Sequence, residues 1–252
     1  MGKIYVCSDI HAHQDALEEA LSLLNPDDML YMIGDAVDKG PDGLKPLLTI
    51  MKDPRCEMLA GNHDMMFLHQ CLCLRHKSEI PAMMIEDIFS RWQILNYGYL
   101  TWHAFENRST DEQDCIIDYL ENRPLMKILE VENRKFILVH AAIPHEYDVS
   151  DLHDLTLDAI RDETYPFLYN WKSDFVWGRY VTKVDGYTTI VGHTAAQSYG
   201  VDHVRIIDDV WYDIDCGLAY NEESSRLALL CLNDMTITYL KPKKLGIYSS
   251  LL

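Results

Sequence analysis

The chain has 252 residues, 48% of them hydrophobic, and a formal net charge of −18. That length fits one large domain and permits two, and the apolar content excludes an intrinsically disordered chain. The negative excess repels a phosphate backbone, which argues against nucleic acid as a partner, although such acidity is also common among soluble intracellular proteins.

The first residues, MGKIYVCSDI, lack the basic stretch and following apolar stretch of a secretory signal. No apolar run approaches the roughly 20 residues that a membrane-spanning helix needs. Seven cysteines make an odd number, and only Cys71 and Cys73 lie close together. These features lead to the expectation of a reduced, cytoplasmic chain with neither a disulfide framework nor a membrane partner.

Residues Lys3–Cys7 and Met29–Ile33 are short apolar runs closed by polar residues or glycine, and they predict buried strands. Between them Ala16, Leu17, Ala20, Leu21 and Leu24 recur at helical spacing, with Asn25-Pro26 as a stop. Cys56–Ala60 repeats the strand pattern. Residues 65–124 change character: Met, Leu and aromatic residues at helical spacing predict a helical insertion, or cap, over the site. Phe136–Val139 and Thr188–Val191 return to strand, and the tail predicts four more at Val204–Asp208, Val210–Ile214, Arg226–Leu232 and Thr236–Leu240. In open α/β sheets ligands gather beyond the carboxyl ends of strands.

That position is where five polar segments fall: SDIHAH at 8–13, GDAVDKG at 34–40, GNHD at 61–64, VHA at 139–141 and VGHT at 191–194. Asp9 and His11 put a carboxylate and an imidazole within reach of one cation. Asp35 is suited to bridge two cations, because a carboxylate can neutralise both. Asn62 adds a neutral oxygen, and His140 and His193 add ring nitrogens. Mixed oxygen and nitrogen donors of this kind suit Mn²⁺, Fe or Zn²⁺. A pair of cations about 3.5–4 Å apart can activate water and hold a phosphoryl oxygen. Because His140 and His193 would complete a site begun by Asp9, a single domain over 1–252 is expected.

The order D-x-H, G-D-x-x-D-[RK]-G, G-N-H-[DE], V-H-A and G-H-T resembles the calcineurin-like metallophosphoesterases. The phosphoprotein-phosphatase type, including small bacterial and phage Ser/Thr phosphatases, is the most similar. The resemblance runs from Lys3 to about Leu240. It implies a four-layer α/β fold, with a central β-sandwich flanked by helices and a two-metal centre at the strand ends. Asp9, His11 and Asp35 match the ligands of one metal; Asp35, Asn62, His140 and His193 match those of the other, with Mn²⁺ the expected ion. His63 matches the family's catalytic imidazole, which protonates the leaving oxygen, with a third metal ligand as the alternative, and Asp38 matches the carboxylate that orients it. The implied reaction is in-line attack by a hydroxide bridging the metals on a phosphoserine or phosphothreonine of a protein, or on a small phosphoester.

Arg179, in the segment FVWGR, resembles the arginine that forks onto substrate phosphate in this family, and Asn62 also faces phosphate there. Lys39 stands where arginine is usual, and it binds phosphate as a point charge without a fork. Ala12 replaces a common glycine, which asks that this position avoid positive φ. Asp64 replaces the more common glutamate, within the first turn of a helix. The stretch Trp92–Thr101 resembles a bacterial segment that reads roughly W-x-x-N-G-G-x-x-T, here with one more residue between Trp92 and Asn96 and with Tyr97 in place of its first glycine. A symmetrical dinucleoside polyphosphate hydrolase, such as one cleaving diadenosine tetraphosphate, is the rival on the same scaffold. In those enzymes the position of Asp38 is usually not Asp.

Other polar residues invite weaker readings. His69, Cys71, Cys73 and His76 cluster in sequence, but helical spacing sends Cys71 elsewhere, so a packed helix without a ligand role is expected. His13 is expected at a solvated helix start, with a substrate contact as the alternative. Trp92, Tyr97, Tyr99 and Trp102 are expected to be mostly core, with a substrate groove as the alternative.

Overall fold

A computed structural model describes residues 2–220 and 223–243, and it contains two sheets with helices packed on their outer faces. In chain order, β1 (Ile4–Cys7) leads through α1 (Gln14–Ser22) to β2 (Met29–Met32), then through α2 (Lys45–Lys52) to β3 (Cys56–Met58). β1, β2 and β3 are parallel, so their carboxyl ends emerge together.

A helical stretch follows: α3 (Asn62–Arg75), α4 (Ala82–Phe89), a widened helical turn at Ser90–Leu95, α5 (Tyr99–Glu106) and α6 (Thr110–Glu121). The start of α6 is fixed by Ser109, whose side chain accepts from the Glu112 N–H while Glu112 returns to the Ser109 N–H. The second half begins with the hairpin of β4 (Pro124–Val131) and β5 (Arg134–Val139), and continues with the short β6 (Leu155–Thr156) and α7 (Asp174–Trp177). It closes with β7 (Tyr187–Val191), β8 (Arg205–Ile207), β9 (Trp211–Asp213), β10 (Leu227–Cys231) and β11 (Ile237–Leu240).

The first sheet has the order β11-β10-β1-β2-β3 and the second β6-β4-β5-β7-β9-β8. β5, β7 and β9 are parallel, so His140 and His193 follow the carboxyl ends of neighbouring strands. Side-chain alternation explains the layering. Val6, Tyr31 and Ile33 pack with Phe136, Leu138, Ile190 and Leu230 between the sheets. Their neighbours Cys7, Leu30, Met32, Ile137 and Val139 belong to the cluster that includes α1, α2 and α3. A strand buried on both faces needs apolar residues throughout, which is why these runs do not alternate with polar residues in the sequence.

The predicted strands all occur, with ends moved by one or two residues. β4 and β6 were not foreseen. β4 carries Lys127 and Glu130 among its apolar residues, and it starts where the helical pattern was expected to end. β6 is only two residues long. Among the described residues no helix is long and apolar enough to cross a membrane.

Candidate metal centre

All five polar segments meet at one edge of the two sheets. Asp9 follows β1, Asp35 follows β2, Asn62 and His63 open α3 after β3, and His140 and His193 follow β5 and β7. Every one of these except His193 is buried, and His193 is half-buried. The sheets are tied together here: the His193 N–H donates to Asp9 Oδ2 at 2.9 Å, and His140 Nδ1 donates to the Ile33 carbonyl at 2.8 Å.

Glycine makes the approach possible. A Cβ on Gly61 would lie 2.3 Å from Asp35 Oδ1, and one on Gly192 would lie 2.3 Å from Asp9 Oδ2. The ligand-bearing turns are also strained. Asp9, His11, Asp35, Asp38, Lys39 and His193 all adopt φ between +44° and +70°. Left-handed backbone at non-glycine residues is uncommon and gathers where the fold needs an exact side-chain direction.

Ala12 belongs to the same set, with φ of +55°. The expectation that this position avoids positive φ is therefore wrong: the turn keeps the conformation glycine would favour, held by the Ala12 N–H donating to the Ala36 carbonyl at 3.0 Å. His13 is likewise corrected. It is fully buried rather than solvated, with Nδ1 at 2.9 Å from the His11 carbonyl and 3.1 Å from that of Ile10.

The donor atoms fit divalent cations. His140 spends its Nδ1 proton on Ile33, so Nε2 presents a lone pair, and that nitrogen lies 3.5 Å from Asp35 Oδ1. Two acceptors facing each other in a dry site call for a positive charge between them. His11 Nδ1 donates to the Val37 carbonyl at 3.1 Å, which leaves its Nε2 3.6 Å from Asp9 Oδ1 and 3.5 Å from Asp35 Oδ2. Asp9 Oδ1 and His193 Nε2 are buried with no hydrogen-bond partner. Asn62 Oδ1 lies 3.0 Å from His140 Nε2 and 2.9 Å from His193 Nδ1. Asp9, Asp35 and His140 form one group of converging donors; His11, Asp35 and His63 form another. Asp35 is common to both, as a bridging carboxylate requires, but the groups cut across the two expected ligand sets: Asp9 falls with His140, and His63, expected as the acid, falls with His11.

Burial favours the neutral form of the His11, His63 and His193 rings. Burial pushes His11 below the ordinary imidazole range, and the Lys39 ammonium, 3.3 Å from His11 Nε2, acts in the same direction. Burial disfavours the charged form of Asp9, yet its contacts with His11, His140 and Ser8 hold it below the usual carboxylate range. Asp35 gains a further partner in the His63 N–H, which donates to Oδ1 at 2.9 Å from the first turn of α3.

Beside these atoms lies the Asp38–His63 pair, with Asp38 Oδ2 at 2.7 Å from His63 Nδ1. Burial pushes the Asp38 carboxyl up to about 8, against donation from Thr101 and Trp92. Burial, together with Lys39 and the neighbouring imidazoles, holds His63 well below its ordinary value.

Arg179 is exposed, with Nη1 donating to Thr194 Oγ1 at 2.9 Å. It borders a cavity of about 100 Å³ together with Gly192 and Thr194. His69, Cys71 and Cys73 are buried in α3, while His76 stacks on Phe167 at 4.0 Å and contacts Glu79, so the four do not converge.

The sequence assigns no role in the site to several contributors. Trp92 and Thr101 bond to Asp38 from the helical stretch, and Ser8 donates to Asp9. Asp64 accepts from the N–H groups of Asp35, Ala36 and Gly61 at 2.7, 3.1 and 3.0 Å, which clamps the second and third segments together. Asp213 and Asp215 are buried carboxyls pushed well above the usual range by burial. Of these, Asp64 had a signal as the acid closing the motif GNHD, and Trp92 and Thr101 as the ends of the segment with a bacterial likeness.

The chain belongs to the calcineurin-like phosphoesterases, whose family description matches residues 2–216. Members of that family bind a dinuclear metal centre. The chain is 30% identical over 152 residues to a symmetrical bis(5'-nucleosyl)-tetraphosphatase of Wigglesworthia glossinidia brevipalpis, covering 59% of this chain and 47% of that protein. It is 26% identical over 156 residues to serine/threonine-protein phosphatase 2 of Salmonella typhimurium, covering 60% and 64%. The chain thus spans about half the length of the curated relatives it matches. Among solved structures, a putative diadenosine tetraphosphatase superposes with a TM-score of 0.57 at 19% identity, covering 95% of this chain and 93% of that one. A serine/threonine phosphatase from Saccharomyces cerevisiae superposes with a TM-score of 0.56 at 13% identity, covering 98% and 83%. These likenesses establish the fold.

Proposed function

We propose that the chain is a phosphomonoesterase acting on phosphoserine and phosphothreonine. The observation that carries this reading is the buried Asp38–His63 pair beside the converging donor atoms. Hydrolysis of a serine or threonine phosphate must expel an alkoxide, which leaves poorly unless a positioned acid protonates it. Cleavage of a phosphoanhydride expels a phosphate that is already a stable anion. An orienting carboxylate behind an imidazole therefore serves a monoester more than an anhydride.

In this reading Asp9, His11 and Asp35 hold one divalent cation, and Asp35, Asn62, His140 and His193 hold the second. When bound, the pair supplies Lewis-acid charge and an activated water. His63 Nε2 carries the proton for the leaving oxygen, and Asp38 keeps the ring turned towards it. The negative charge of the phosphate offsets the burial that disfavours a protonated His63. Arg179 and Lys39 supply positive charge to the phosphate oxygens, and Asn62 also faces them. Chain 1–252 acts as one catalytic domain, with the helical stretch about 65–124 as its cap.

A second reading, the symmetrical dinucleoside polyphosphate hydrolase, draws support from several similar proteins that carry that name. The proposal is tested by titrating metal-stripped protein with Mn²⁺ while following both binding and release of phosphate from a phosphothreonine peptide. Two sites per chain, with turnover appearing as they fill, is the expected result. Turnover that persists in chelator overturns it. Asp35→Asn should lose both sites together.

A further inference from the structure

Asp38 is held from a distant part of the chain. Trp92 Nε1 donates to Oδ2 at 2.7 Å, and Thr101 Oγ1 donates to Oδ1 at 2.6 Å. An indole nitrogen can only donate, so Oδ2 acts as an acceptor there. The direction of the threonine hydroxyl is fixed as well: it already accepts from the Asp38 N–H at 3.1 Å, so its own proton is free for Oδ1. Oδ2 also meets His63 Nδ1. Both carboxylate oxygens are therefore engaged, and the plane of the group cannot turn without breaking one of three bonds.

The two donors are themselves immobilised. Trp92 and Thr101 are completely buried. The Trp92 ring stacks on Phe67 with centroids 5.3 Å apart and meets Trp102 edge-on at 6.2 Å. Gly98 closes over it so tightly that a Cβ there would come within 2.4 Å of the indole nitrogen. The widened turn at Ser90–Leu95 aims the indole inwards, and α5 presents Thr101 beside it. Packing alone would be met by any aromatic ring at 92 and by valine at 101. The two polar atoms are spent on Asp38 and nothing else.

We infer that Trp92 and Thr101 are positioning residues for proton donation: they fix the plane of Asp38 and, through it, the direction in which His63 Nε2 points. The helical stretch thereby completes the acid, as well as covering it. This inference rests on the reading of His63 as the proton donor to the leaving oxygen. It goes further by naming the residues that set its aim.

The test compares two esters that differ in their need for an acid. p-Nitrophenolate leaves as a stable anion, whereas phenolate benefits far more from protonation. In Trp92→Phe and Thr101→Val, which keep ring stacking and side-chain shape, kcat for phenyl phosphate should fall on the order of tenfold, a fraction of the 10²–10⁴ carried by a general acid. kcat for p-nitrophenyl phosphate should change less than about twofold, a ratio that loss of folded enzyme cannot produce because it slows both esters alike. KM should stay constant for both esters, and Thr101→Ser should restore the parent ratio. Independently of activity, the His63 Nδ1 proton resonance of metal-free, ¹⁵N-histidine-labelled protein should move or broaden in both variants. Equal losses on the two esters, or no loss on either, overturn the inference. His63→Asn separates the two levels: if it discriminates between the esters and the Trp92 and Thr101 variants do not, only this inference falls. If it slows both esters equally, the acid role falls and the inference falls with it.

Discussion

His63 Nδ1 and Asp38 Oδ2 are 2.7 Å apart, and both side chains are buried. A buried imidazole with its Nδ1 proton committed to a carboxylate can use only Nε2 for chemistry. His63→Asn should therefore retain both metal ions and lower kcat on a phosphothreonine peptide by at least about 10²-fold, the usual scale for loss of a general acid. Metal content by emission spectrometry, read beside turnover, checks this. Full metal with unchanged turnover would remove His63 from the reaction.

Lys39 adopts φ of +63°, and its ammonium lies 3.3 Å from His11 Nε2. An arginine at this position could fork onto two phosphate oxygens where lysine offers one charge. Lys39→Arg is expected to lower KM for monoesters several-fold with kcat little changed. A KM that stays put or rises would show that residue 39 does not touch the phosphate.

Ala12 provides a test of backbone strain. A left-handed conformation costs an L-residue roughly 1–2 kcal/mol, while a glycine loses about 0.5–1 kcal/mol more in chain entropy on folding. Ala12→Gly should therefore stabilise the protein by about 0.5 kcal/mol in urea titration. A loss of about 1 kcal/mol or more would show that the buried methyl group outweighs the relieved strain.

His69 is buried against Trp171, and burial pushes its pKa down to about 4. In the unfolded chain the ring takes up a proton below about pH 6.5. Between about 6.5 and 4 the unfolded state therefore binds more protons, and stability falls as pH is lowered across that window. Relative to His69→Met, the parent protein should lose on the order of 2 kcal/mol between pH 7 and 4.5. A stability difference that is constant with pH would contradict this.

Local pattern carried much of the fold. The strands that deliver Asp9, Asp35 and His140 end in apolar runs that stand out against the polar turns that follow, while β3 and β7 carry Glu57 and Thr188-Thr189 and are marked mainly by the polar segments after them. Their convergence could not be read from the sequence alone, because it depends on which strands pair. β4 escaped notice because its lysine and glutamate break an apolar run. Ala12 and His13 were misjudged for a related reason: the residue types suggested relaxed, solvated backbone, whereas neighbouring loops force a strained and covered turn. Trp92 and Thr101 stood out only as the ends of a segment with a bacterial likeness, and nothing in it pointed to Asp38, since an indole and a hydroxyl in a helical stretch are ordinary core. Their partner lies more than fifty positions away.

The most direct test is the ratio of kcat/KM for a phosphothreonine peptide to that for diadenosine tetraphosphate, measured on Mn²⁺-reconstituted protein. The account predicts a ratio well above one, falling steeply in His63→Asn because only the peptide needs a protonated leaving group. A ratio below one, unaffected by His63→Asn, would contradict it and assign the centre to dinucleoside polyphosphates.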